Sequence, residues 1–483
     1  MATYSDTHKK AQLGQFFTPQ AIADFMTALF PPARGSCRLL DAGAGTGALS
    51  AAFLSKWRQG GFQFDSVHLD AYEIDPSLHP LLLTTLAPYR GDNLTLNVYT
   101  EDFILSGQTS TVDSLFSVAR GPYTHIILNP PYKKINSQSL HRQVLRRLGI
   151  ETVNLYSAFM ALAIAQAAPG AQIVAIIPRS FCNGPYYRPF REYLLQHTAI
   201  RRIHLFAARN KAFEEDRVLQ ENIIIHLERD AQQAEVVVST STDHQFHDIQ
   251  TGEYTFAEIV LPNESERFIH IPVPSTKHQT ETPSIICCTL DDLDLEVSTG
   301  PIVDFRLKPH LRAMPSAQTV PLLYPGHFTG SRARWPIAGI KKPNAIELNR
   351  DTMKWLYPSG YYCVVRRFSS KEEKRRIVAS VVDPVVFGKA ELLGFENHLN
   401  LFHQGKRGLP EALAYGLTAF LNTTAVDIKF RRFNGHTQVN ATDLRAMKYP
   451  SRDILNRLGE WAMQQETLTQ DLIDSKLSAL YDE

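Results

Sequence analysis

The chain has 483 residues, 44% hydrophobic and 20% charged, an ordinary globular composition whose length suggests two domains rather than one core. No apolar run approaches the roughly 20 residues that cross a bilayer, and the start MATYSDTHKK lacks a signal-peptide stretch; five cysteines without a CxxC pair or His partners at zinc spacing read as reduced thiols of a cytoplasmic protein with no metal. The net charge of +1 hides a division, since residues 301–450 hold 23 Lys+Arg against 11 Asp+Glu, a local +12 that suggests a region meeting a polyanion.

Through about residue 230, short apolar runs alternate with helical stretches. RLLDAG (38–43), HLDAYEI (68–74), THIILNPP (124–131), AQIVAIIP (171–178), IRRIHLF (200–206) and ENIIIHLE (221–228) read as strands. AIADFMTALF (21–30), ALSAAFLSKW (48–57), NLYSAFMALAIAQAA (154–168) and YRPFREYLLQH (187–197) read as helices. This alternation predicts an α/β domain over 1–230, with a mostly parallel sheet covered on both faces. Ligands of such sheets sit beyond the carboxyl ends of the strands. Residues 231–290 read as a polar connector carrying a strand or two. Residues 291–450 read as an irregular, Pro- and Arg-rich domain, and 451–483 as a C-terminal helical segment.

DAGAGTGAL (41–49) follows an apolar strand and opens a helix. Asp41 precedes glycines at 43, 45 and 47, which let the backbone turn tightly and a ligand approach where a Cβ would clash. Glu73 closes the next strand, where a carboxylate can accept both ribose hydroxyls of a nucleoside. Asp102 closes a further strand; its side chain is suited to an adenine amino group, with Phe103 against the purine face. Each acid alone reads as a cap or turn residue, but three at successive strand ends point to a nucleoside site.

Asn129-Pro130-Pro131-Tyr132 follows the strand THIIL. An exocyclic amine is a poor nucleophile because its lone pair is delocalised into the ring. The Asn129 side-chain carbonyl and the Pro130 backbone carbonyl can accept its two N–H bonds and stabilise the positive charge that grows during attack on an activated methyl. The prolines rigidify the turn, and Tyr132 offers a face on which a base stacks.

In these motifs and their order the chain resembles the amino-methyltransferases of DNA in the γ arrangement, TaqI-like and still more the PstI/BsuBI type. The resemblance implies a Rossmann-like class I methyltransferase domain, a C-terminal α+β DNA-recognition domain, S-adenosylmethionine as cofactor and N6 of a flipped adenine in duplex DNA as target. It brings Phe17, Thr18 and Pro19, within GQFFTP, over the cofactor's methionine end and adds Ile74 to the cofactor residues Asp41, Gly43, Gly45, Glu73, Asp102, Phe103 and Asn129. AFEEDRVLQENIII (212–225) resembles the segment whose aromatic residue sandwiches the flipped base, which points to Phe213. GFENHLNLFH (394–403) and GHTQVNATDLRAMKYP (435–450) are similar to recognition-domain segments.

In the basic half, Arg and aromatic residues interleave. Arg332, Arg334, Arg366, Arg367, Arg431 and Arg432 are candidates for phosphate or guanine contacts, and His436 and Gln438 for an exposed reading loop. Duplex DNA is the expected partner, with a cognate restriction endonuclease or other defence proteins beside it. An N5-glutamine protein methyltransferase or an RNA adenine methyltransferase also uses NPPY, but neither accounts for the basic C-terminal half. A catalytically silent DNA-binding subunit leaves Asn129, Glu73 and Asp102 unexplained.

Overall fold

In chain order the first unit contains α1 (Gln20–Ala28), β1 (Arg34–Ala42), α2 (Ala48–Arg58), β2 (Gln63–Tyr72), α3 (His79–Leu86), β3 (Leu94–Tyr99), α4 (Phe103–Ser106) and β4 (Tyr123–Leu128). It continues through α5 (Leu140–Arg147), α6 (Leu155–Ala165), β5 (Ala167–Pro178), α7 (Arg188–His197), β6 (Thr198–Phe206), β7 (Asn222–Arg229), β8 (Val236–Ser241) and β9 (Gln250–Tyr254). The structure is a computed structural model that describes residues 17–106, 122–206, 221–272, 286–369, 373–434 and 437–480. The chain divides into two units, Met1–Lys277 and His278–Glu483.

One sheet runs in the order β3-β2-β1-β4-β5-β7-β6-β8-β9. Strands β3, β2, β1, β4 and β5 pair in parallel, and β7 inserts antiparallel between β5 and β6. This is the α/β arrangement expected of a class I methyltransferase domain. The apolar runs are nearly continuous because both faces are covered. Ile126 and Leu128 pack on one side with Ile173, Ala175 and Ile177. The alternate residues Ile127, Val174 and Ile176 pack on the other with Phe30, Phe53 and Trp57. Helix α6 is buried almost all round, as its uninterrupted apolar sequence requires. The strand order reverses between β1 and β4, the switch point where the loops at the carboxyl ends diverge and leave a crevice.

Within the stretch read as a connector carrying a strand or two, residues 236–254 do carry two strands, and these belong to the main sheet. Strand β8 pairs parallel with β6, and β9 pairs antiparallel with β8, so both extend the main sheet. Val236 and Val238 alternate into the core on a short strand whose flanking polar turns masked its period in the sequence.

The second unit is built from short strands and helices, the α+β texture expected. Six strands pair in the order 296–299, 399–403, 362–366, 379–382, 332–333, 328–329, and five in the order 311–312, 345–347, 319–323, 392–395, 357–358. Tyr362, Val364, Phe395, Leu399 and Leu401 form one core cluster. The helices Glu411–Leu421 and Arg452–Met463 cross at two glycines. A Cβ on Gly416 would lie 1.8 Å from the Leu455 carbonyl oxygen, and one on Gly459 1.7 Å from that of Ala412. The residues read as a separate C-terminal segment are therefore packed into this unit. Among the described residues no helix is long and apolar enough to cross a membrane.

Candidate active site

The loop from β1 to α2 turns through Gly43, Gly45 and Gly47, all at positive φ (84°, 55° and 86°). The N–H groups of Gly43 and Ala44 donate to the Tyr72 carbonyl at 2.9 and 2.8 Å, which fastens this loop to the end of β2. There Glu73 accepts the N–H of Gly45 at 2.9 Å through one carboxylate oxygen and that of Asp75 at 2.7 Å through the other. Burial pushes the Glu73 carboxyl above its ordinary range, against these two donors.

Gly43, Gly45, Glu73, Ile74, Asp102, Phe103, Asn129 and Pro131 line one cleft together with Phe17. These residues come from four strand ends and the segment before α1, so the separated sequence motifs do converge. Ile74 is 48% exposed there, an apolar surface open beside the Glu73 carboxylate. The Phe17 ring lies against the glycine turn, 3.7 Å from where a Gly45 Cβ would stand. Phe103 is held by Tyr72 and Phe159, each ring centroid 5.1 Å away.

Asp41 departs from its expected role as a lining residue. It is fully buried outside the cleft lining, with the Ser50 hydroxyl donating to Oδ2 at 2.5 Å. Its Oδ1 has no hydrogen-bond partner among the described residues. Burial raises its carboxyl to about 7, Ser50 opposing and Glu73 adding to the shift. Asp41 thus shapes the turn from within.

Asn129 stands at the carboxyl end of β4 and is nine-tenths buried. Its Nδ2 donates to Thr18 Oγ1 at 3.0 Å, and its Oδ1 accepts the Tyr132 hydroxyl at 3.0 Å. Pro130 is buried, while Pro19 accepts the first N–H groups of α1 through its carbonyl. Tyr132 is partly buried rather than an open face. Its ring meets Tyr156 edge-on at 6.2 Å, and its hydroxyl also reaches the Ile176 carbonyl at 3.2 Å. Burial pushes its phenol well above the ordinary range.

Sequence reasoning missed Tyr72, Glu101, Lys133, His141, Leu155 and Phe159, which also line the cleft. Leu155 and Phe159 lie on a helix that reads as plain core, and His141 on a helix no motif announces. Asp102 is more heavily engaged than expected. Oδ1 accepts the N–H groups of Ile104 (2.9 Å) and Leu105 (3.1 Å), and Oδ2 accepts from His141 Nε2 at 2.8 Å. Phe213 and His436 lie outside the described residues.

In the second unit the candidate arginines separate into two kinds. Arg332 and Arg334 are exposed. Arg366 pairs with the Glu373 carboxylate, and Arg431 donates to Asp427 Oδ2 at 2.6 Å and to the Glu373 carbonyl at 2.9 Å. Arg367 donates to the Asn397 carbonyl at 3.2 Å and to Gln438 Oε1 at 3.3 Å, while Arg432 is partly buried. Arg366, Arg367 and Arg431 therefore bind the unit to itself rather than standing as bare surface cations.

The chain is 51% identical over 477 residues to the type II methyltransferase M.BsuBI of Bacillus subtilis, covering 98% of this chain and 94% of that protein. It is 39% identical over 487 residues to the type II methyltransferase M.PstI of Providencia stuartii, covering 98% and 95%. Residues 89–213 match the Eco57I restriction-modification methylase family. Among solved structures, DrdV in its complex with DNA shares the fold at a TM-score of 0.55 and 12% identity, over 95% of this chain and 58% of that one. With relatives at these identities spanning almost its whole length, the chain belongs to the type II restriction–modification methyltransferases of the M.BsuBI and M.PstI kind, a family of DNA methyltransferases.

Proposed function

We propose that the protein methylates the N6 amino group of an adenine flipped out of duplex DNA, with S-adenosylmethionine as donor, as the modification enzyme beside a cognate restriction endonuclease. One observation carries this reading: Asn129 of the Asn-Pro-Pro-Tyr turn shares a cleft with the glycine turn, Glu73 and Asp102.

The residues present suit the cofactor. Glycines at 43 and 45 leave the backbone open to close approach, Glu73 offers a fixed carboxylate for ribose hydroxyls, and the exposed Ile74 and the Phe103 ring offer apolar faces for adenine. When bound, S-adenosylmethionine supplies a methyl group activated by its sulfonium. Asn129 Oδ1 and the Pro130 carbonyl accept the target amine's N–H bonds and stabilise its developing positive charge. A carbonyl oxygen carries two lone pairs, so the Tyr132 hydroxyl does not exhaust Asn129 Oδ1. Extruding a base costs a few kcal/mol, which stacking on an aromatic side chain, Phe213 as the sequence suggests, offsets. Residues 291–450, which contain the basic surplus of 301–450, supply target recognition.

The test pairs binding with transfer. Wild-type protein is expected to move a tritiated methyl from S-adenosylmethionine to duplex DNA, whereas Asn129→Ala binds the cofactor but transfers about 10²–10³ times more slowly. Equal transfer by the two proteins would sink the assignment.

A further inference from the structure

His141 is the one residue of α5 that lines the cleft holding Asn129, Asp102 and Glu73. Helix α5 starts with Ser139, whose hydroxyl caps it through the Arg142 N–H at 3.3 Å. Arg142 and Arg146 turn away to Glu151, and Arg147 is exposed. His141 points instead at Asp102, its Nε2 2.8 Å from Oδ2, with side chains 30% and 21% exposed. Because Ile104 and Leu105 already hold Oδ1, the histidine completes a three-donor clamp that fixes the carboxylate plane.

We propose that His141 is a positioning residue for the cofactor's nucleoside: it sets the orientation in which Asp102 meets the adenine amino group, and it ties the helix following the Asn129–Tyr132 turn to that cleft. This rests on the cofactor placement proposed above. Charge supports the geometry. The Asp102 hydrogen bond holds the His141 imidazole above its ordinary pKa against partial burial. Burial pushes Asp102 up, yet the His141 bond and the two N–H donors outweigh it and leave the carboxyl below its ordinary range. The other charged groups lining the cleft are Glu73, Glu101 and Lys133, and α4, packed against α5, contributes no titratable side chain. The charged pair is therefore fully present below the ordinary histidine range and fades as pH rises through the raised value. A charge-assisted hydrogen bond is roughly twice as strong as a neutral one, so the fading is measurable.

The experiment is calorimetric titration of S-adenosylmethionine into the full-length protein from pH 6 to 9, for wild type, His141→Gln, His141→Phe and Asp102→Ala. Wild-type Kd is expected to rise about three- to tenfold across the range, consistent with losing one charge-assisted bond. His141→Phe should weaken binding about tenfold at pH 6, His141→Gln should recover most of that loss, and neither should show the pH slope. Should His141→Phe fail to fold, the slope of His141→Gln decides alone. Wild-type affinity and slope in either His141 variant would overturn the proposal while leaving the cofactor site intact. Wild-type binding by Asp102→Ala would overturn the placement of adenine as well, and no binding by the wild-type protein would overturn both.

Discussion

The Tyr132 hydroxyl donates to Asn129 Oδ1 at 3.0 Å while Asn129 Nδ2 donates to Thr18 Oγ1 at 3.0 Å, so the amide is held from both ends. The segment before α1 thereby steers the turn after β4. Tyr132→Phe keeps the ring and removes one net hydrogen bond, worth about 0.5–1.5 kcal/mol, so single-turnover methyl transfer should fall roughly two- to tenfold. Asn129→Ala removes the acceptor itself and should cost far more. A Tyr132→Phe rate as low as that of Asn129→Ala would mean the hydroxyl has a chemical role of its own.

Asp41 gives a stability prediction with a definite sign. Its folded carboxyl titrates near 7, against an ordinary value of 3.8, because it is buried. Its favourable contribution is fully present below the unfolded value and is lost as pH rises through about 7. Asp41→Asn should therefore raise the Tm of the cofactor-free protein at pH 8 and change it little at pH 4. The reverse order in thermal melts would show that Asp41 is held as a carboxylate by charges the geometry does not reveal.

Gly416 and Gly459 let two helices of the second unit touch through their backbones. A methyl group at either position meets a carbonyl oxygen that cannot rotate aside, and overpacking of this kind costs about 1–3 kcal/mol or more. Gly459→Ala is expected to lower the denaturation midpoint, whereas Gly170→Ala should lower it less. Gly170 is an exposed glycine near the start of β5 with nothing within 4 Å of its Cβ position, so only its φ of +77° is strained.

The basic surplus of residues 301–450 should show itself as salt-dependent DNA affinity, with a slope of about 0.9 per phosphate neutralised. Arg332 and Arg334 are exposed, so Arg332→Ala with Arg334→Ala should flatten the slope and leave the unfolding free energy within about 0.5 kcal/mol of wild type. Arg431→Ala should destabilise the unit, because it uncouples Asp427 and the Glu373 backbone. Filter binding across a salt series beside thermal melts separates the two effects. An unchanged slope in the double variant would remove these two arginines from the interface.

Much of the first unit was legible because its signals are local. Apolar runs such as THIIL and AQIVAIIP gave strands, and the glycine turn, Glu73, Asp102 and Asn129 each sit where a strand stops, so their convergence follows from sheet topology. His141 was not legible, since only folding brings it to Asp102 and nothing in its neighbourhood announces the pairing. The ties of Arg366 and Arg431 to Glu373 were hidden for the same reason: charge counts record how many cations a segment holds and not which of them are already engaged. Strand β8 has no bounds legible in the sequence beyond a strand or two within the polar stretch, because its apolar alternation spans only a few residues.

The central claim is the identity of the methylated atom. Duplex DNA incubated with the protein and S-adenosylmethionine, then digested to nucleosides and resolved by mass spectrometry, should yield N6-methyldeoxyadenosine, and DNA treated with Asn129→Ala should yield almost none. Methyl groups found instead on cytosine, or on protein glutamine with the DNA unmodified, would contradict the account.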